Sequence, residues 1–559
     1  MLQPRPLGRA RLDTATRCAL FLCGLAGLWE VWLVRRLWFW YDDWSFLLKR
    51  HLSHDTWWNL FHPHNEHWST IPVVLWRAMF TLFGFDYLPY ALMPISAHLV
   101  TCLVLFVVLR RTGAGPGPAV ATMALLLFLG AGSTTIFWAF QIGFLGAVAL
   151  GFGALAMIAD SAPTGRRRAL VWAMLSASLM CAGVGISMVA FAAFFSLMRH
   201  GLRSALLVAS APTAAYVVWY AAIGHVGNSG QYANPMLMVP AILIGLAVLW
   251  EHIVMVPHTG LLVFVLFCVV AWRGRRHPRL RMLAVAGLAA LLVNLILITL
   301  TRAVDGFVFA AVADRYAYVG ILLTLPAFAY TTQLAWERIR EQMLGLRLLG
   351  LALVAVLIVP GAWMQYGYTA KQVVLEAGFK QRIAAARAML ADGEPLVSRQ
   401  VDPLVAPDLT TGFLRDPAIT GRLPTSRASA RQRLNEAANL QVAVGDRSLH
   451  LGGPAAVRVS DVVELHSSGG CVRGAATGRT TIELSATEPA QVWLSTAAGD
   501  LGVSLIRDGL TSSTRHWQRE AYEPFWVGWS AASSTVKLSL PAGRFTMCGI
   551  GAAVETSAR

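Results

Sequence analysis

Long apolar runs separated by short basic segments make up the first two thirds of the chain. A membrane-spanning helix needs about 20 consecutive apolar residues. Eleven runs predict such helices, near 18–38, 88–109, 118–138, 140–160, 168–183, 184–199, 203–223, 258–273, 280–301, 315–334 and 346–366. The pair 168–199 is also compatible with one long helix that breaks around Cys181–Ser187. The pattern predicts a polytopic α-helical membrane domain over residues 1–366.

Two further apolar stretches, 69–83 and 237–252, are shorter and carry Pro or charge at their ends. If they crossed the membrane, the basic segments would no longer fall on one side. We therefore expect them to lie in the interface or to re-enter the membrane from the outer side. The first of them belongs to an outer loop that spans residues 39–87.

The pattern changes after residue 366, where polar residues become frequent. Residues 367–440 predict a connector, helical around 371–390 and irregular elsewhere. Residues 441–559 contain short alternating runs such as "TTIELSA", "AQVWLSTA" and "STVKLSLPAG", separated by turn residues. Such spacing is typical of an all-β sandwich or jelly roll.

Composition and charge support this division. Charged residues make up 14% of the chain and hydrophobic residues 56%, whereas a soluble protein carries about 25% charged residues. The net charge of +16 does not indicate nucleic-acid binding, because the arginines cluster between apolar runs. The clusters are Arg110 with Arg111, Arg166–Arg168, Arg199 with Arg203, Arg273–Arg281, and Arg338, Arg340 and Arg347. The positive-inside rule places them in the cytoplasm, with the N-terminus inside and the C-terminal domain outside.

The N-terminal segment resembles a signal sequence. Arg5, Arg9, Arg11 and Arg17 precede the first apolar run, and no small-residue cleavage site follows it. We interpret this run as a retained signal anchor.

An acidic pair, Asp42 and Asp43, directly follows the first apolar run. Ionisable residues at the membrane edge are costly and usually functional. One interpretation is a general base with a neighbour that tunes it, since adjacent carboxylates repel. The other is helix capping, because an Asp just before "WSFLL" can accept backbone N–H groups. Capping accounts for one of the two acids, and both roles are compatible.

A histidine group follows in the same loop, formed by His62, His64, Glu66 and His67. Its members are close enough in sequence to suggest a metal, so a divalent cation is a possible cofactor. The spacing differs from the established H-E-x-x-H zinc pattern. Hydrogen bonding to a sugar or phosphate is the alternative use of these side chains.

Two arginines, Arg302 and Arg315, fall on the predicted outer side, against the positive-inside bias. Arginine binds phosphate through two parallel N–H donors. A phosphate at this depth would belong to a phospholipid or an isoprenoid-phosphate carrier. The alternatives are surface pairs with Asp305 and Asp314, or anchoring to lipid headgroups.

The C-terminal region has its own candidates. Cys471 and Cys548 predict a disulfide in an oxidising compartment, and two buried free thiols are the alternative. Four tryptophans could stack on sugar rings or form ordinary core: Trp493, Trp517, Trp526 and Trp529.

Three segments carry a resemblance to a known family: "YDD" at 41–43, "HNEHWSTIPVVLWRAMFTLFG" at 64–84 and "DRYAYV" at 314–319. In their order and predicted topology, residues 18–366 resemble the GT-C superfamily of glycosyltransferases. These multi-pass enzymes take sugars from polyprenyl-phosphate donors on the outer face of the membrane. A C-terminal outer β domain is similar to that of actinobacterial arabinosyl- and mannosyltransferases. The Ala-, Arg- and Gly-rich composition is typical of a bacterial genome rich in GC, hence of a bacterial plasma membrane protein.

The resemblance implies an inverting transfer to a cell-envelope glycan, lipid or protein acceptor. By motif position, Asp42 would be the base and Asp43 would position it, or the reverse. Arg315 would hold the leaving phosphate, with Arg302 as the second candidate. His64, Glu66, His67 and Tyr316 would line the substrate cavity. The segment His67–Pro72 lacks the Lys-Pro-Pro type stretch of the protein O-mannosyltransferases, so the lipid-phosphate contact of that lysine does not carry over to this segment.

Other classes of function make different predictions. A flippase for a lipid-linked saccharide would carry charged residues near mid-membrane and often internal repeats. A membrane-bound O-acyltransferase would need a catalytic histidine deep among the spans, for which His98 is the candidate. A non-catalytic scaffold for the β domain leaves the acidic pair without a role.

Overall fold

A computed structural model describes residues 13–52, 56–227, 235–254, 256–302, 314–340, 344–394, 396, 400–402, 405–423, 428–446, 451, 455–530 and 535–557. The chain forms two compact units. The membrane unit comprises residues 1–39 and 46–374, and the C-terminal unit comprises residues 40–45 and 375–559.

Helices make up the membrane unit and the start of the C-terminal unit. They are α1 (Thr14–Val34), α2 (Asp42–Leu47), α3 (Trp57–Phe61), α4 (Thr70–Phe83), α5 (Leu88–Thr112), α6 (Pro116–Leu127), α7 (Ser133–Phe137), α8 (Ile142–Ile158), α9 (Gly165–Leu179), α10 (Val184–His200), α11 (Leu202–Ala222), α12 (Pro235–Leu249), α13 (Glu251–Val254), α14 (Thr259–Arg273), α15 (Pro278–Arg302), α16 (Asp314–Arg340), α17 (Leu344–Ala391), α18 (Thr411–Arg415), α19 (Pro417–Thr420) and α20 (Ala430–Leu440). A π-helical turn lies at Leu48–Leu52, and 3₁₀ turns lie at Gly130–Gly132, Ala139–Gln141 and Gly224–Gly227.

The predicted polytopic helical domain is confirmed. Among the described residues, seven helices are long and apolar enough to cross a membrane, or eight if α6 and the bent segment after it form one span. Three predicted spans are shorter: α9, α10 and α14 have 15, 17 and 15 residues. The predicted span 346–366 lies within α17, which continues to Ala391.

One expectation about the membrane segments has an alternative in the structure. Residues 237–252 are expected to lie in the interface or to re-enter the membrane from the outer side, and Met236–Val254 is a helical segment of 19 residues whose length and composition would also suit a membrane span. Pro240 lies inside α12 and Glu251 begins α13, so proline and charge in this stretch did not prevent a helical segment of that length. The other short stretch forms α4, which has only 14 residues.

The open question at 168–199 is resolved in favour of two helices. α9 ends at Leu179 and α10 begins at Val184. Gly185 approaches the preceding helix so closely that a Cβ there would lie 2.6 Å from the backbone of Ser178. Only glycine fits such a close approach without displacing the backbone.

A fully buried polar cluster joins α1, α5 and α16. His98 Nε2 lies 3.3 Å from Glu30 Oε1, and His98 Nδ1 lies 2.9 Å from the hydroxyl of Tyr318. All three side chains have no measurable exposure. Both ring nitrogens of His98 thus have polar partners, which a polar side chain needs in a region without water. His98 is therefore a core residue, held in place by Glu30 and Tyr318.

The C-terminal unit contains the predicted all-β domain, which is confirmed. Its strands are β1 (Gln400–Asp402), β2 (Ala406–Thr410), β3 (Val442–Gly445), β4 (Ala455–Ser460), β5 (Glu464–Ser468), β6 (Cys471–Ala476), β7 (Thr480–Ser485), β8 (Ala490–Thr496), β9 (Gly499–Arg507), β10 (Leu510–Thr511), β11 (Arg515–Arg519), β12 (Phe525–Trp529), β13 (Thr535–Leu540), β14 (Gly543–Cys548) and β15 (Ile550–Ser557).

Two large sheets form the β domain. One has the order β10-β9-β13-β7-β4-β15, with β11 also paired to β9, and the other has the order β3-β12-β8-β14-β6-β5. Their pairs are antiparallel except β15 with β4, which is parallel. Buried and exposed residues alternate along β4, β7 and β13, as strands with one face on a core require. A disulfide joins Cys471 and Cys548 on the neighbouring strands β6 and β14.

Candidate functional site

A pocket of about 180 Å³ lies in the membrane unit, and three residues singled out in the sequence meet in it. They are Glu66, His67 and Tyr316. The remaining walls come from α8, α10, α11 and α15, and most of their side chains there are apolar or aromatic. Ligand sites commonly combine such apolar walls with a few convergent polar groups. The pocket is therefore the candidate site of this unit.

The helices around the pocket all contribute the same end. Its lining residues lie near the start of α8, α10 and α16 and towards the end of α11 and α15. The other ends of α10, α11, α15 and α16 carry arginines of the basic clusters. The pocket thus lies at the end of the helix bundle opposite its arginine-rich end.

The loop that supplies Glu66 and His67 is held by Arg50. This side chain is 7% exposed and donates to the Asn59 side chain at 2.6 Å and to the carbonyl of Pro63. Burial lowers the pKa of Arg50 to about 10, with a smaller contribution from the charge of Arg77. Because the buried guanidinium donates hydrogen bonds to a backbone carbonyl and to an amide side chain, it fixes the geometry of the loop.

His64 and His67 face each other across a tight turn. The N–H of each donates to the carbonyl of the other at 3.0 Å, and Asn65 between them has a φ of 52°. Asn tolerates this left-handed conformation better than most residues. The turn sends the two histidine rings to different surroundings.

His64 does not line the pocket. Its ring packs on Phe46 and Phe140 with centroids 4.8 and 5.4 Å apart. Burial, followed by the charge of Arg50, lowers the pKa of His64 to about 3, so the ring is neutral at physiological pH. Its Nε2 atom is buried and has no hydrogen-bond partner among the described residues. His64 therefore supports the loop from behind the pocket.

His67 and Glu66 are the polar pair at the pocket. His67 Nε2 lies 3.9 Å from Glu66 Oε1, and the His67 ring meets Phe144 edge-on at 5.9 Å. Gly183 leaves room for the ring, because a Cβ there would lie 3.0 Å from His67 Nδ1. Within the described ranges, no three His, Cys, Asp or Glu side chains are grouped to hold a metal ion.

Arg315 and Tyr316 begin α16. The guanidinium carbon of Arg315 lies 5.2 Å from the ring centre of Tyr316, and Tyr316 stacks on Phe144 at 6.1 Å. Thr135 donates to the carbonyl of Arg315 at 3.0 Å, which fixes the first turn of the helix. Arg315 Nε is buried without a hydrogen-bond partner in the described part of the chain. The side chain of Arg302 lies outside the described residues.

The acidic pair belongs to the C-terminal unit, in the short segment Trp40–Ser45. Asp43 is fully buried, and its Oδ2 accepts the N–H of Trp40 at 3.0 Å. The backbone N–H of Asp43 in turn donates to the carbonyl of Trp40 at 3.0 Å, and together the two bonds cap the start of α2. Asp42 is half-exposed. Tyr41, directly before the pair, has a φ of 49°, a strained value for an aromatic residue.

Two further residues line the pocket that were not singled out from the sequence, Asn294 and Tyr216. Asn294 lies within the apolar run of α15, where it lines the pocket and accepts from Ser187 at 3.2 Å. Tyr216 lines it from α11. A polar amide within a membrane span is unusual, so Asn294 could have been singled out from the sequence on that ground. Tyr216 gave no such signal, because aromatic residues are common in apolar runs.

The tryptophans predicted to stack on sugars differ in burial. Trp529 is fully buried, which favours the core alternative for this residue. Trp493 and Trp526 are half-buried and directly opposite each other on β8 and β12. Trp517 lies under the guanidinium of Arg515, 4.6 Å from ring centre to guanidinium carbon.

Fold and site together define a multi-pass α-helical membrane protein with a C-terminal all-β domain. No protein-family model and no curated protein sequence matches the chain. Among solved structures, it is similar to the crystal structure of ArnT from Cupriavidus metallidurans bound to undecaprenyl phosphate. The two share 15% sequence identity with a TM-score of 0.40, over 68% of this chain and 73% of that one.

Proposed function

We propose that the chain is an inverting glycosyltransferase. It would move a sugar from a polyprenyl-phosphate donor to a cell-envelope glycan, lipid or protein acceptor on the outer face of the membrane. The observation that carries this proposal is the pocket of the membrane unit, where Glu66, His67 and Tyr316 converge beside Arg315.

The position of the pocket in the helix bundle supports an outer-face reaction. Its lining helix ends are those without the arginine clusters. The positive-inside rule assigns arginine-rich ends to the cytoplasm, so the pocket would open on the extracytoplasmic side. A polyprenyl-phosphate sugar presents its reactive carbon at that depth, because its lipid chain is held in the bilayer.

Arg315 would bind the phosphate of the donor. Its buried Nε has no hydrogen-bond partner among the described residues, and a phosphate oxygen would satisfy it. The phosphate gains charge as the bond to the sugar breaks, so a cation at this place stabilises the transition state more than the ground state. Glu66 and His67 would bind sugar hydroxyls.

The acidic pair would supply the base. Asp42 is half-exposed and so accessible to an acceptor, whereas Asp43 is buried in its capping contact. Asp42 would take the proton of an acceptor hydroxyl while that oxygen bonds to the anomeric carbon. The lipid phosphate would leave with the electron pair of the broken bond. A single displacement of this kind inverts the anomeric configuration.

The experiment uses the full chain in nanodiscs, a panel of polyprenyl-phosphate sugars and an envelope extract as the source of acceptor. Release of polyprenyl phosphate is followed for the wild type, Asp42→Asn and Asp43→Asn. We expect Asp42→Asn to lose at least about a hundredfold in turnover, since general-base catalysis contributes about 10²–10⁴. Asp508→Asn, an exposed turn residue of the same unit, is the matched control. Equal turnover in all three variants would refute the assignment of the base.

A second candidate, a flippase for a lipid-linked saccharide, is favoured by one observation. Glu30 and His98 form a buried ionisable pair within the spans, and His98 lies near the middle of α5. Transporters often place such pairs near mid-membrane. A flippase would move the donor between leaflets without releasing polyprenyl phosphate, so the same assay separates the two candidates.

A further inference from the structure

A second cavity, of about 470 Å³, lies within the C-terminal unit. Its walls are the last turns of α17, strand β1, helix α20 and the segment that leads into β11. Small-molecule sites have volumes of about 300–1,000 Å³, so this cavity has the size of a binding site. It has no part in the function proposed above.

The lining of this cavity is almost entirely polar. Arg382, Asp402, Glu436 and Arg515 supply charges, and several amide and hydroxyl side chains lie between them. None of the described lining residues is aromatic. A wall of this kind offers both donors and acceptors in many directions and excludes an apolar ligand.

The arginines of the cavity already have partners. Arg382 forms an ion pair with Asp402. Arg515 donates to the carbonyl of Ala438 at 3.4 Å and lies over the ring of Trp517. A phosphate or another multiply charged anion would need several cations without partners, which these two arginines do not offer.

Glu436 is the group that points to a ligand. Its side chain is 1% exposed. Its Oε2 accepts from the Asn439 amide at 3.1 Å, but its Oε1 has no hydrogen-bond partner among the described residues. A buried polar atom of this kind is rare in native proteins, because it loses its water without a replacement. At the wall of a polar cavity, a bound hydroxyl group is the replacement that fits.

We propose that this cavity binds a neutral saccharide, with Glu436 Oε1 accepting a sugar hydroxyl. Sugars present many hydroxyl groups that each donate and accept, and planar amide, carboxylate and guanidinium side chains match them in pairs. The lining has such side chains on four sides. The site is separate from the tryptophans of the sheets, which were the sequence-based candidates for sugar stacking.

The test measures saccharide binding to the full chain in nanodiscs by calorimetry and saturation-transfer NMR, without any lipid donor. The probes are the methyl glycosides of mannose, glucose, galactose and arabinose, their disaccharides, and inorganic phosphate. We expect at least one saccharide to bind, and phosphate not to bind. Glu436→Leu removes both carboxyl oxygens from the lining, and we expect it to weaken binding about tenfold, as loss of one well-placed hydrogen bond does.

Two further variants make the result specific. Asn435→Ala removes another polar group of the lining, and we expect a loss of similar size. Gln518→Ala changes an exposed amide on β11 outside the cavity, and its binding should equal that of the wild type. Binding of no saccharide, binding of phosphate alone, or binding that both cavity variants leave unchanged would each overturn the proposal. Because no donor is present, these outcomes do not depend on glycosyl transfer.

Discussion

The candidate site of the membrane unit and the cavity of the C-terminal unit differ in the character of their walls. The pocket of the membrane unit has about 180 Å³ and mainly apolar and aromatic walls, with a few polar side chains. The cavity of the C-terminal unit has about 470 Å³ and polar walls with charges of both signs. A polar group among membrane helices must find its partner within the protein, because no water can replace it. A polar group in the C-terminal unit can be left for water or a ligand to satisfy.

The most direct way to sharpen this comparison is to remove the partner of a buried glutamate in each unit. His98 is the partner of Glu30 in the membrane unit, and Asn439 is the partner of Glu436 in the C-terminal unit. We expect His98→Leu to destabilise the protein by about 3–5 kcal/mol, since it leaves a buried carboxyl group alone. We expect Asn439→Leu to cost about 1 kcal/mol, because water can enter the polar cavity.

The measurement is the unfolding transition of each variant in the same detergent. The double variant Glu30→Leu/His98→Leu should recover much of the loss, since replacing a whole buried polar pair by apolar side chains is often tolerated. Equal losses in the two single variants would break the comparison.

A second prediction concerns Arg315 at the membrane pocket. We expect Arg315→Met to lower kcat about 10²–10³-fold, because the cation acts on charge that develops as the phosphate leaves. The kcat of Arg315→Lys should lie between those of the wild type and Arg315→Met, since lysine keeps the charge but lacks the planar guanidinium. Polyprenyl phosphate release over a range of donor concentrations separates kcat from KM. The control is Arg203→Met, in the first turn of α11, which is the end of that helix away from the pocket. An equal loss of kcat in this control would exclude a specific role for Arg315.

A third prediction concerns pH and the C-terminal cavity. Burial raises the pKa of Glu436 to about 7 from its ordinary 4.5, while Asn439, Arg382 and Arg515 oppose the rise and Asp402 adds to it. The folded state therefore holds a proton that the unfolded state loses. Stability from this group is present below pH 4.5 and falls by up to about 3 kcal/mol as pH rises to about 7.

The check compares the unfolding transition of the wild type and Glu436→Gln between pH 4.5 and 8. The variant does not titrate at this position, so its stability should fall less over that interval. Parallel profiles would show that Glu436 has its ordinary pKa in the folded protein.

The smallest expected effect concerns the fit of His67 into its pocket. A Cβ at Gly183 would lie 3.0 Å from His67 Nδ1, so Gly183→Ala must displace the ring by a few tenths of an ångström. We expect turnover to fall by about tenfold at most, because small misplacements of a positioning group lower rates steeply. Gly24→Ala is the matched control, since a Cβ there meets nothing within 4 Å. An equal loss of turnover in both variants would show that the contact between residue 183 and His67 is not the cause.

Much of the membrane fold could be predicted from apolar runs, and the places where the prediction failed have physical reasons. Met236–Val254 has the length and composition of a span although Pro240 lies inside α12 and Glu251 begins α13, because membrane helices tolerate proline where neighbouring groups satisfy the backbone. Glu66, His67 and Tyr316 could be selected because polar residues beside a membrane are few. Asn294 could not be connected to them, since only folding brings α15 to the same pocket.

Burial distinguishes the two acids of the acidic pair, and folding creates the cavity of the C-terminal unit; neither could be predicted from the sequence. Asp42 and Asp43 are equivalent in sequence, and only the structure separates the half-exposed acid from the buried cap. The second cavity was not predicted at all. Arg382, Glu436 and Arg515 are far apart in the chain, and each resembles an ordinary surface residue until the fold brings them together.

Our central proposal is that the protein transfers a sugar from a lipid-phosphate donor. The most direct test supplies proteoliposomes with a polyprenyl-phosphate sugar labelled in both the sugar and the lipid, together with an envelope extract as acceptor. We predict that labelled sugar appears on an acceptor with inverted anomeric configuration, in step with released polyprenyl phosphate. Intact donor that crosses the bilayer, with no polyprenyl phosphate released, would contradict it.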